Sequence, residues 1–179
     1  MLIARDLLRE PLPFNFIVFA LSFRMCSTKT PCSGVIQNIK NGHCYRRFCD
    51  HKTFKEAKET CSDLGGYLPT VRNSYEDKFL ATLAKAEPQS EQWGYPRCHW
   101  IGLKLNRNSL KPDKFEWSNG EENWYRNWHP GRPDDWYGEE CVHYSFESGF
   151  WDQWNDLDCN KKLQYFCEWD SCKKALSKI

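Results

Sequence analysis

The chain has 179 residues, enough for one domain with a substantial core, and nine Trp and eleven Phe supply bulky side chains for that core. Its 25 basic and 24 acidic residues give a formal net charge of +1, so no overall field draws it toward nucleic acid or an anionic membrane. We therefore expect no nucleic-acid partner, and any functional charge must be local.

The ten cysteines indicate an oxidising compartment, because a short chain in a reducing cytosol rarely carries so many unless they bind metal. No C-x-x-C pair and no closely spaced histidines accompany them to predict zinc. We therefore expect a framework of disulfides in a secreted, extracellular protein.

The N-terminal segment, residues 1–22, is interpreted as a signal peptide. Its apolar run "PLPFNFIVFALSF" has about the length of a signal-peptide core and is too short to span a bilayer comfortably. Ala20 and Ser22 offer a small-residue cleavage site, whereas Asp6 and Glu10 depart from the usual basic leader. A short retained anchor is the alternative.

Two amphipathic helices are predicted in the first half of the chain. The first, "TFKEAKETCSDLGG", has Thr53 as its N-cap and Gly65 as its stop, and its core face consists of Phe54, Ala57 and Cys61. The second, "SYEDKFLATLAKA", begins with Ser74, and Asp77 follows at the spacing of a capping box. Its apolar stripe consists of Phe79, Leu80, Leu83 and Ala84.

Later runs are typical of strands, because they are short, aromatic or β-branched, and separated by Asn, Gly, Pro and Asp. They are "CHWIGLKL", "KFEWSNG", "ECVHYSF" and "LQYFCEW". Two helices followed by several short strands predict an α+β domain whose helices are segregated from an antiparallel sheet. We place this domain at residues 32–169 and a tail, either a short helix or disordered, at 170–179.

The segment "GRPDDWYGEEC", residues 131–141, opens the most acidic part of the chain. Arg132 is the single full positive charge up to Asp158, and the eight carboxylates are Asp134, Asp135, Glu139, Glu140, Glu147, Asp152, Asp156 and Asp158. Such an excess repels itself unless it is solvated or neutralised by a cation, and hard oxygen ligands suit Ca²⁺. On composition alone, a solvated acidic loop is the favoured alternative.

A family resemblance is carried by a frame of residues in fixed order. The frame consists of Cys61, "WIGL" at 100–103, Trp117 with Gly120, Trp128, Pro133, Cys141, "WND" at 154–156, Cys159 and Cys167. It resembles the long form of the C-type lectin-like domain over residues 32 to about 169. The resemblance implies two helices, short antiparallel sheets and long loops stapled by disulfides.

The resemblance also implies disulfides. In the family, the first and last of four main cysteines pair, as do the middle two, which implies Cys61–Cys167 and Cys141–Cys159. Cys32 and Cys44 match the additional bridge of the long form.

Four cysteines remain, and three pairings of them are possible. Because the first and last strands of the family run antiparallel, we prefer Cys26–Cys172, which leaves Cys49–Cys98. The alternative is that one or two of the four are free or join subunits.

Sugar-binding members of the family hold calcium with a Glu-Pro-Asn or Gln-Pro-Asp triplet, a glutamate two residues before the third main cysteine, and the Asn-Asp of "WND". The resemblance therefore implies that the calcium ligands here are Asp134, Glu139, Asn155 and Asp156. It also implies a cis bond before Pro133, which directs the neighbouring side chains at one ion.

Arg132 departs from the family, which has an oxygen ligand at this position. A guanidinium about 5 Å from Ca²⁺, at an effective dielectric near 20, would cost about 6 kcal/mol. That cost is comparable with the whole binding free energy of a millimolar to micromolar site. Either Arg132 swings into solvent, or its guanidinium replaces calcium and pairs with Asp134 and Glu139.

The stretch "PDDWYG" is similar to the loop of galactose-type members such as the asialoglycoprotein receptor, in which an aromatic ring stacks on galactose. Trp136 would be that ring, beside the four implied calcium ligands. The glycine-rich insertion of those receptors is missing, because only Tyr137 and Gly138 separate Trp136 from Glu139. A partly buried structural indole is the alternative.

Other titratable residues suggest no further chemistry. His143 and Glu147 have no neighbouring nucleophile or oxyanion site, so we expect no enzyme. The auxiliary calcium site of the family is expected to be absent or incomplete, because the loop after "WIGL" offers only Asp113. Asp135 and Glu140 could contribute to such a site.

Two functions stay open on the sequence. The first is a secreted, calcium-dependent lectin of galactose-like preference that binds a glycan or glycoprotein. The second is a calcium-independent module that binds a protein ligand, which Arg132 and the shortened loop favour. Retention of Glu139 and "WND" favours the first, and nothing in the sequence predicts an oligomeric state.

Overall fold

The computed structural model describes residues 32–85, 98–111, 113–145 and 152–177. The elements in chain order are β1 (Ile36–Gln37), β2 (Cys44–Lys52), α1 (Phe54–Asp63), α2 (Ser74–Lys85), β3 (His99–Leu105), β4 (Phe115–Trp117), a 3₁₀ turn (Trp136–Gly138), β5 (Cys141–Ser145), β6 (Gln153–Leu157), β7 (Leu163–Trp169) and α3 (Cys172–Leu176). The expected signal peptide lies outside the described residues. Across the ranges given above, no helix is long and apolar enough to cross a membrane.

The described strands form one sheet in the order β1-β2-β7-β3-β5-β6, with β4 paired to β3. The predicted α+β class is confirmed. Neighbouring strands are antiparallel except β3 and β7, which pair in parallel at His99–Gln164 and Trp100–Tyr165. The first long strand, β2, runs antiparallel to the last, β7, as the resemblance implies. This order places β6, which carries "WND", at the opposite edge of the sheet from β1.

The sheet has a hydrophobic cluster on each face, because successive side chains of a strand point to opposite sides. Along β7, Tyr165 and Cys167 belong to one cluster and Phe166 to the other. The first cluster includes residues of α1 and α3, and the second includes residues of α2. The two long helices therefore cover opposite faces.

Helix α1 forms as predicted. Thr53 Oγ1 accepts a hydrogen bond from the Glu56 amide (3.3 Å), and Glu56 Oε2 accepts one from the Thr53 amide (2.9 Å), which closes a capping box. Gly65, with φ at +73°, ends the helix in a left-handed conformation that favours glycine. The buried face consists of Phe54, Ala57 and Cys61, as predicted.

Helix α2 begins at Ser74, as predicted, but the expected capping box between Ser74 and Asp77 is wrong. The cap is Asn73, whose Oδ1 accepts hydrogen bonds from the amides of Tyr75 (3.0 Å) and Glu76 (3.1 Å). The Asp77 side chain instead points into the core, where it accepts hydrogen bonds from buried side-chain donors. The apolar face buries Leu80, Ala81 and Ala84, while Phe79 and Leu83 pack half-buried against the same cluster.

Asp77 is a buried carboxylate that joins α2 to the strands beneath it. It accepts hydrogen bonds from the Tyr144 hydroxyl, Trp154 Nε1 (3.0 Å), the Tyr125 hydroxyl (3.0 Å) and Asn127 Nδ2 (2.6 Å). Burial raises the pKa of Asp77, and these hydrogen bonds oppose that rise. The carboxylate therefore fixes β5, β6 and the segment 125–127 relative to one another.

The disulfides Cys61–Cys167 and Cys141–Cys159 are confirmed. The pairings Cys32–Cys44, Cys26–Cys172 and Cys49–Cys98 are wrong, because the structure joins Cys32 to Cys49 and Cys44 to Cys172. The reason is strand register: Cys44 lies opposite Trp169 at the end of β7, and α3 begins at Cys172. Cys98 is buried in the first cluster, and Cys26 lies outside the described residues. In the tail, Cys172–Leu176 form α3, so this part is the short helix that was one of the two expectations.

We predict that Asp77→Ala lowers the free energy of unfolding by about 3 kcal/mol or more, because it leaves several buried donors without an acceptor. Tyr125→Phe is the matched control. It removes one donor and keeps the carboxylate, so its cost should be about 1 kcal/mol. Chemical denaturation with the disulfides intact measures both, and equal costs would contradict a shared role for this carboxylate.

Candidate functional site

Strand β6 is held on both sides. It pairs with β5, and on its other side the Trp154 amide donates to the Asn127 carbonyl (2.8 Å) and the His129 amide donates to the Trp154 carbonyl (2.9 Å). The buried Trp154 indole is held by Asp77. Because the segment 127–129 leads directly into residues 131–141, this acidic loop begins beside Asn155 and Asp156.

Asp156 shapes the start of the loop. Its side chain is fully buried, and Oδ2 accepts hydrogen bonds from the amides of Asp134 (3.0 Å) and Asp135 (2.8 Å). The Arg132–Pro133 bond is cis, as the resemblance implies. Asp156 therefore holds the backbone that follows this bond against β6.

The Arg132 guanidinium lies among three carboxylates. Its Nη1 is 2.6 Å from Asp134 Oδ1, 3.3 Å from Glu139 Oε2 and 3.8 Å from Asp156 Oδ1. Of the two outcomes expected from the sequence, the structure has the second, in which the guanidinium pairs with Asp134 and Glu139. Arg132 is therefore a cation that pairs with this cluster.

The same cluster has the chemistry of a calcium site. Asp134, Glu139 and Asp156 offer carboxylate oxygens within 4.8 Å of one another. Asn155 Oδ1 and Asp156 Oδ1 are buried and have no hydrogen-bond partner among the described residues. Burial and the nearby Asp156 charge raise the pKa of Glu139, and Arg132 offsets this only in part. The donor set therefore fits Ca²⁺, with a guanidinium nitrogen lying between its carboxylates.

Trp136 and Tyr137 form an exposed aromatic pair in the 3₁₀ turn. Their side chains are 61% and 92% exposed, and their rings stack at 5.3 Å with an angle of 21°. The Trp136 amide donates to Asp134 Oδ1 (3.2 Å), which ties the turn to the acidic cluster. Trp136 is thus a surface residue and not a buried structural indole. Tyr137 was missed by the sequence analysis, although its place beside Trp136 was a signal.

Arg107 is a second residue that the sequence analysis missed. From the turn after β3, its guanidinium bonds both oxygens of Asp135 (2.7 and 2.9 Å) and Glu140 Oε1 (2.8 Å). Those two acids were the candidates for an auxiliary calcium site. Asp113 lies elsewhere, in an ion pair with Arg126 (2.6 Å).

His143 has a structural role. It is buried on β5 opposite Asn155, and its Nδ1–H donates to the Tyr144 carbonyl (2.8 Å). Burial lowers the pKa of His143 to about 4, so the ring is neutral at pH 7. Glu147, the other half of the acid–base pair considered from the sequence, lies outside the described residues.

Comparison with known proteins identifies the family. The chain belongs to the C-type lectins, because the family model "Lectin C-type domain" matches residues 50–169. Domains of this family are in general binding modules without catalytic activity. The C-type lectin fold is confirmed.

Two curated relatives are 30% identical or more. An "Alpha-N-acetylgalactosamine-specific lectin" from Patiria pectinifera is 30% identical over 148 residues, which cover 80% of this chain and 84% of that protein. The human "C-type mannose receptor 2" is 31% identical over 148 residues, 81% of this chain but 9% of the receptor. Among solved structures, the "SPL-1 - GlcNAc complex" has a TM-score of 0.63 and 27% identity, covering 81% of this chain and 98% of that one.

The buried His143 predicts a loss of stability in acid. Its pKa is about 4 in the folded protein and about 6.5 in the unfolded chain, so the unfolded state binds the extra proton between these values. Stability from this residue is therefore complete above about pH 6.5 and falls as the pH drops toward 4. Unfolding free energies of wild type and His143→Asn at pH 7 and 4.5 should show a smaller pH effect in the variant.

Arg132→Gln should reduce stability in the presence of a chelator, because it leaves Asp134, Glu139 and Asp156 without their cation. Adding calcium should raise the melting temperature of the variant more than that of wild type. Its affinity for calcium should be about tenfold higher or more, because the substitution removes a positive charge and supplies an oxygen ligand. Differential scanning calorimetry in chelator and in calcium measures both effects.

Arg132→Lys is the matched control, because it keeps the charge at this position. Its calcium response should stay close to that of wild type. Identical calcium responses in wild type and Arg132→Gln would show that residue 132 is not at the cation position.

Proposed function

We propose that the domain binds saccharides of the galactose type, with N-acetylgalactosamine the first candidate, at the surface formed by the loop 131–141 and β6. Two comparisons support an N-acetylated sugar. The relative from Patiria pectinifera is named as an α-N-acetylgalactosamine-specific lectin, and the SPL-1 structure is a complex with GlcNAc. The similarity of "PDDWYG" to galactose-type members supports the galactose stereochemistry.

The observation that carries the proposal is the convergence of fixed oxygens beside an exposed indole. Asp134, Glu139 and Asp156 lie within 4.8 Å of one another, and the Trp136 amide bonds to Asp134. A sugar ring has an apolar face and a rim of hydroxyls. The Trp136 ring suits that face, and the partly exposed carboxylates of Asp134 and Glu139 suit hydroxyl donors.

Calcium has a place in this proposal through Asp134, Glu139, Asn155 and Asp156. When bound, the ion would coordinate sugar hydroxyls directly and strengthen their binding. These residues can hold it only if the Arg132 guanidinium leaves the cluster, because the two charges repel each other by about 6 kcal/mol at 5 Å and a dielectric near 20. We therefore propose that calcium strengthens saccharide binding only at high concentration in wild type.

A second candidate is a calcium-independent module that binds a protein. Two observations favour it: Arg132 already pairs with Asp134 and Glu139 of the acidic cluster, and Trp136 and Tyr137 together expose a large aromatic surface. Exposed aromatic side chains beside an arginine are common anchors in protein interfaces.

The protein is proposed to act outside the cell, where glycans and glycoproteins would be its ligands. The disulfides that the structure forms support an oxidising compartment, because such bonds persist poorly in the cytosol.

Calorimetric titration with N-acetylgalactosamine, galactose and mannose, in chelator and in calcium, tests the proposal. We expect the first two sugars to bind more tightly than mannose. Trp136→Ala should weaken binding about tenfold, as expected for the loss of one stacked ring. The control is Trp124→Ala, because Trp124 is exposed to the same degree (63% against 61%) but lies in the segment after β4.

Three results would decide against saccharide binding at this loop. The first is binding of none of the sugars in either condition. The second is an equal loss of affinity in Trp124→Ala and Trp136→Ala. The third is an unchanged affinity in Trp136→Ala.

A further inference from the structure

We propose that Arg107 is a positioning residue that holds the binding loop in place of an auxiliary calcium ion. The proposal rests on the proposed function only in taking residues 131–141 as the binding loop. It concerns the order of the loop in the absence of any sugar. Arg107 lies on the turn after β3, so its contacts join two separate loops.

The contacts of Arg107 are geometrically specific. Nη1 and Nη2 bond the two oxygens of Asp135 (2.9 and 2.7 Å), and Nε bonds Glu140 Oε1 (2.8 Å). The planar guanidinium thus uses three donors on two carboxylates, an arrangement that an ammonium cannot reproduce. These carboxylates stand at both ends of the turn that contains Trp136, so one side chain closes the loop.

The backbone at Asp135 shows why such a tie is needed. Asp135 and Tyr137 have φ of +50° and +54°, the left-handed region that is unfavourable for residues other than glycine. The two backbone hydrogen bonds that close the turn, from the amides of Gly138 and Glu139, are both long at 3.3 Å. The local backbone is therefore weakly self-supporting, and the pairs with Arg107 supply an anchor from outside the loop.

The positive charge of Arg107 lies where the proposal would otherwise place an auxiliary calcium ion. Asp135 and Glu140 adjoin Asp134 and Glu139 of the main cluster, so four carboxylates lie within seven residues. Arg132 forms ion pairs with Asp134 and Glu139, and Arg107 forms them with Asp135 and Glu140.

Amide hydrogen exchange of the loop tests this inference without any ligand. The reporters are the amides of Asp134 and Asp135, which donate to Asp156, and those of Gly138 and Glu139, which close the turn. In Arg107→Gln these amides should exchange about threefold faster or more, because the loop opens more often once its anchor is lost. Arg107 is half-exposed, so the fold should survive the change.

Two variants separate the effect of the Arg107 hydrogen-bond geometry from the effect of its positive charge alone. Lys104→Gln is the matched control, because Lys104 Nζ lies 3.6 Å from Glu140 Oε2 and carries the same charge without the contact to Asp135. It should leave exchange of the loop unchanged. Arg107→Lys keeps the charge but loses the fork, and its exchange should be intermediate.

Calcium and salt complete the experiment. Chelator should leave the exchange of the wild-type loop unchanged, whereas 1 M salt should accelerate it by screening the exposed pair. In Arg107→Gln, millimolar calcium should restore part of the protection, because Asp135 and Glu140 are then available to a cation.

Unchanged exchange in Arg107→Gln, an equal effect in Lys104→Gln, or a chelator effect on the wild-type loop would each overturn the inference. Acceleration that spread to the amides of β7 would also contradict it, since the effect would then be global. Because no sugar is present, a failure of saccharide binding and a failure of this inference give separate results.

Discussion

The buried carboxylate of Asp156 is the group on which the arrangement of the binding loop depends. A charge without solvent is costly unless every lone pair finds a partner. One oxygen of Asp156 is satisfied by two loop amides, and the other faces the cation position that Arg132 occupies. The backbone after Pro133 therefore takes its path because a strand residue requires two donors. The loop is therefore positioned by the hydrogen bonds that the buried Asp156 carboxylate accepts at the edge of the sheet.

Arginine side chains pair with buried carboxylates at other points of the described chain as well. Arg72 bonds Glu121 (2.7 Å), the fully buried Glu168 (2.8 Å) and Glu76 (3.2 Å), and so joins the segment after β4 to β7 and α2. Burial works against its charged form, but the hydrogen bonds with Glu121 and Glu168 outweigh this and raise the pKa of Arg72. Arg72, Arg107 and Arg132 thus each pair with two or more carboxylates of the described chain.

The sequence predicted what local chemistry decides. The capping box of Thr53 and the stop at Gly65 need only neighbouring residues, and both are confirmed. The box at Ser74 failed because the Asp77 carboxylate has better partners on distant strands. Strands β2 and β6 were missed, since their charged and polar residues hide the alternation that marks a strand.

In the candidate site, too, the features that sequence spacing gives were predicted, and those that depend on distant contacts were not. The acids that gather at β6 were predicted by family spacing, and the position of Arg132 was one of two stated outcomes. The fork of Arg107 was not predicted, because it joins residues 28 and 33 positions apart through a turn whose direction no local pattern gives. The disulfides of Cys44 and Cys172 were mispaired for a related reason. Their partners are set by the register of β2 on β7, which spacing along the chain does not contain.

The order of the strands has a consequence for how the domain could be displayed. Strand β2 and the C-terminal α3 are joined by Cys44–Cys172, and β6 lies four strand spacings from β2, about 19 Å. A tether attached near either of these bonded segments would leave the loop facing outward. Under the proposed function, several such domains on one support would engage neighbouring branches of a glycan at once, and the resulting avidity would compensate for a weak single contact.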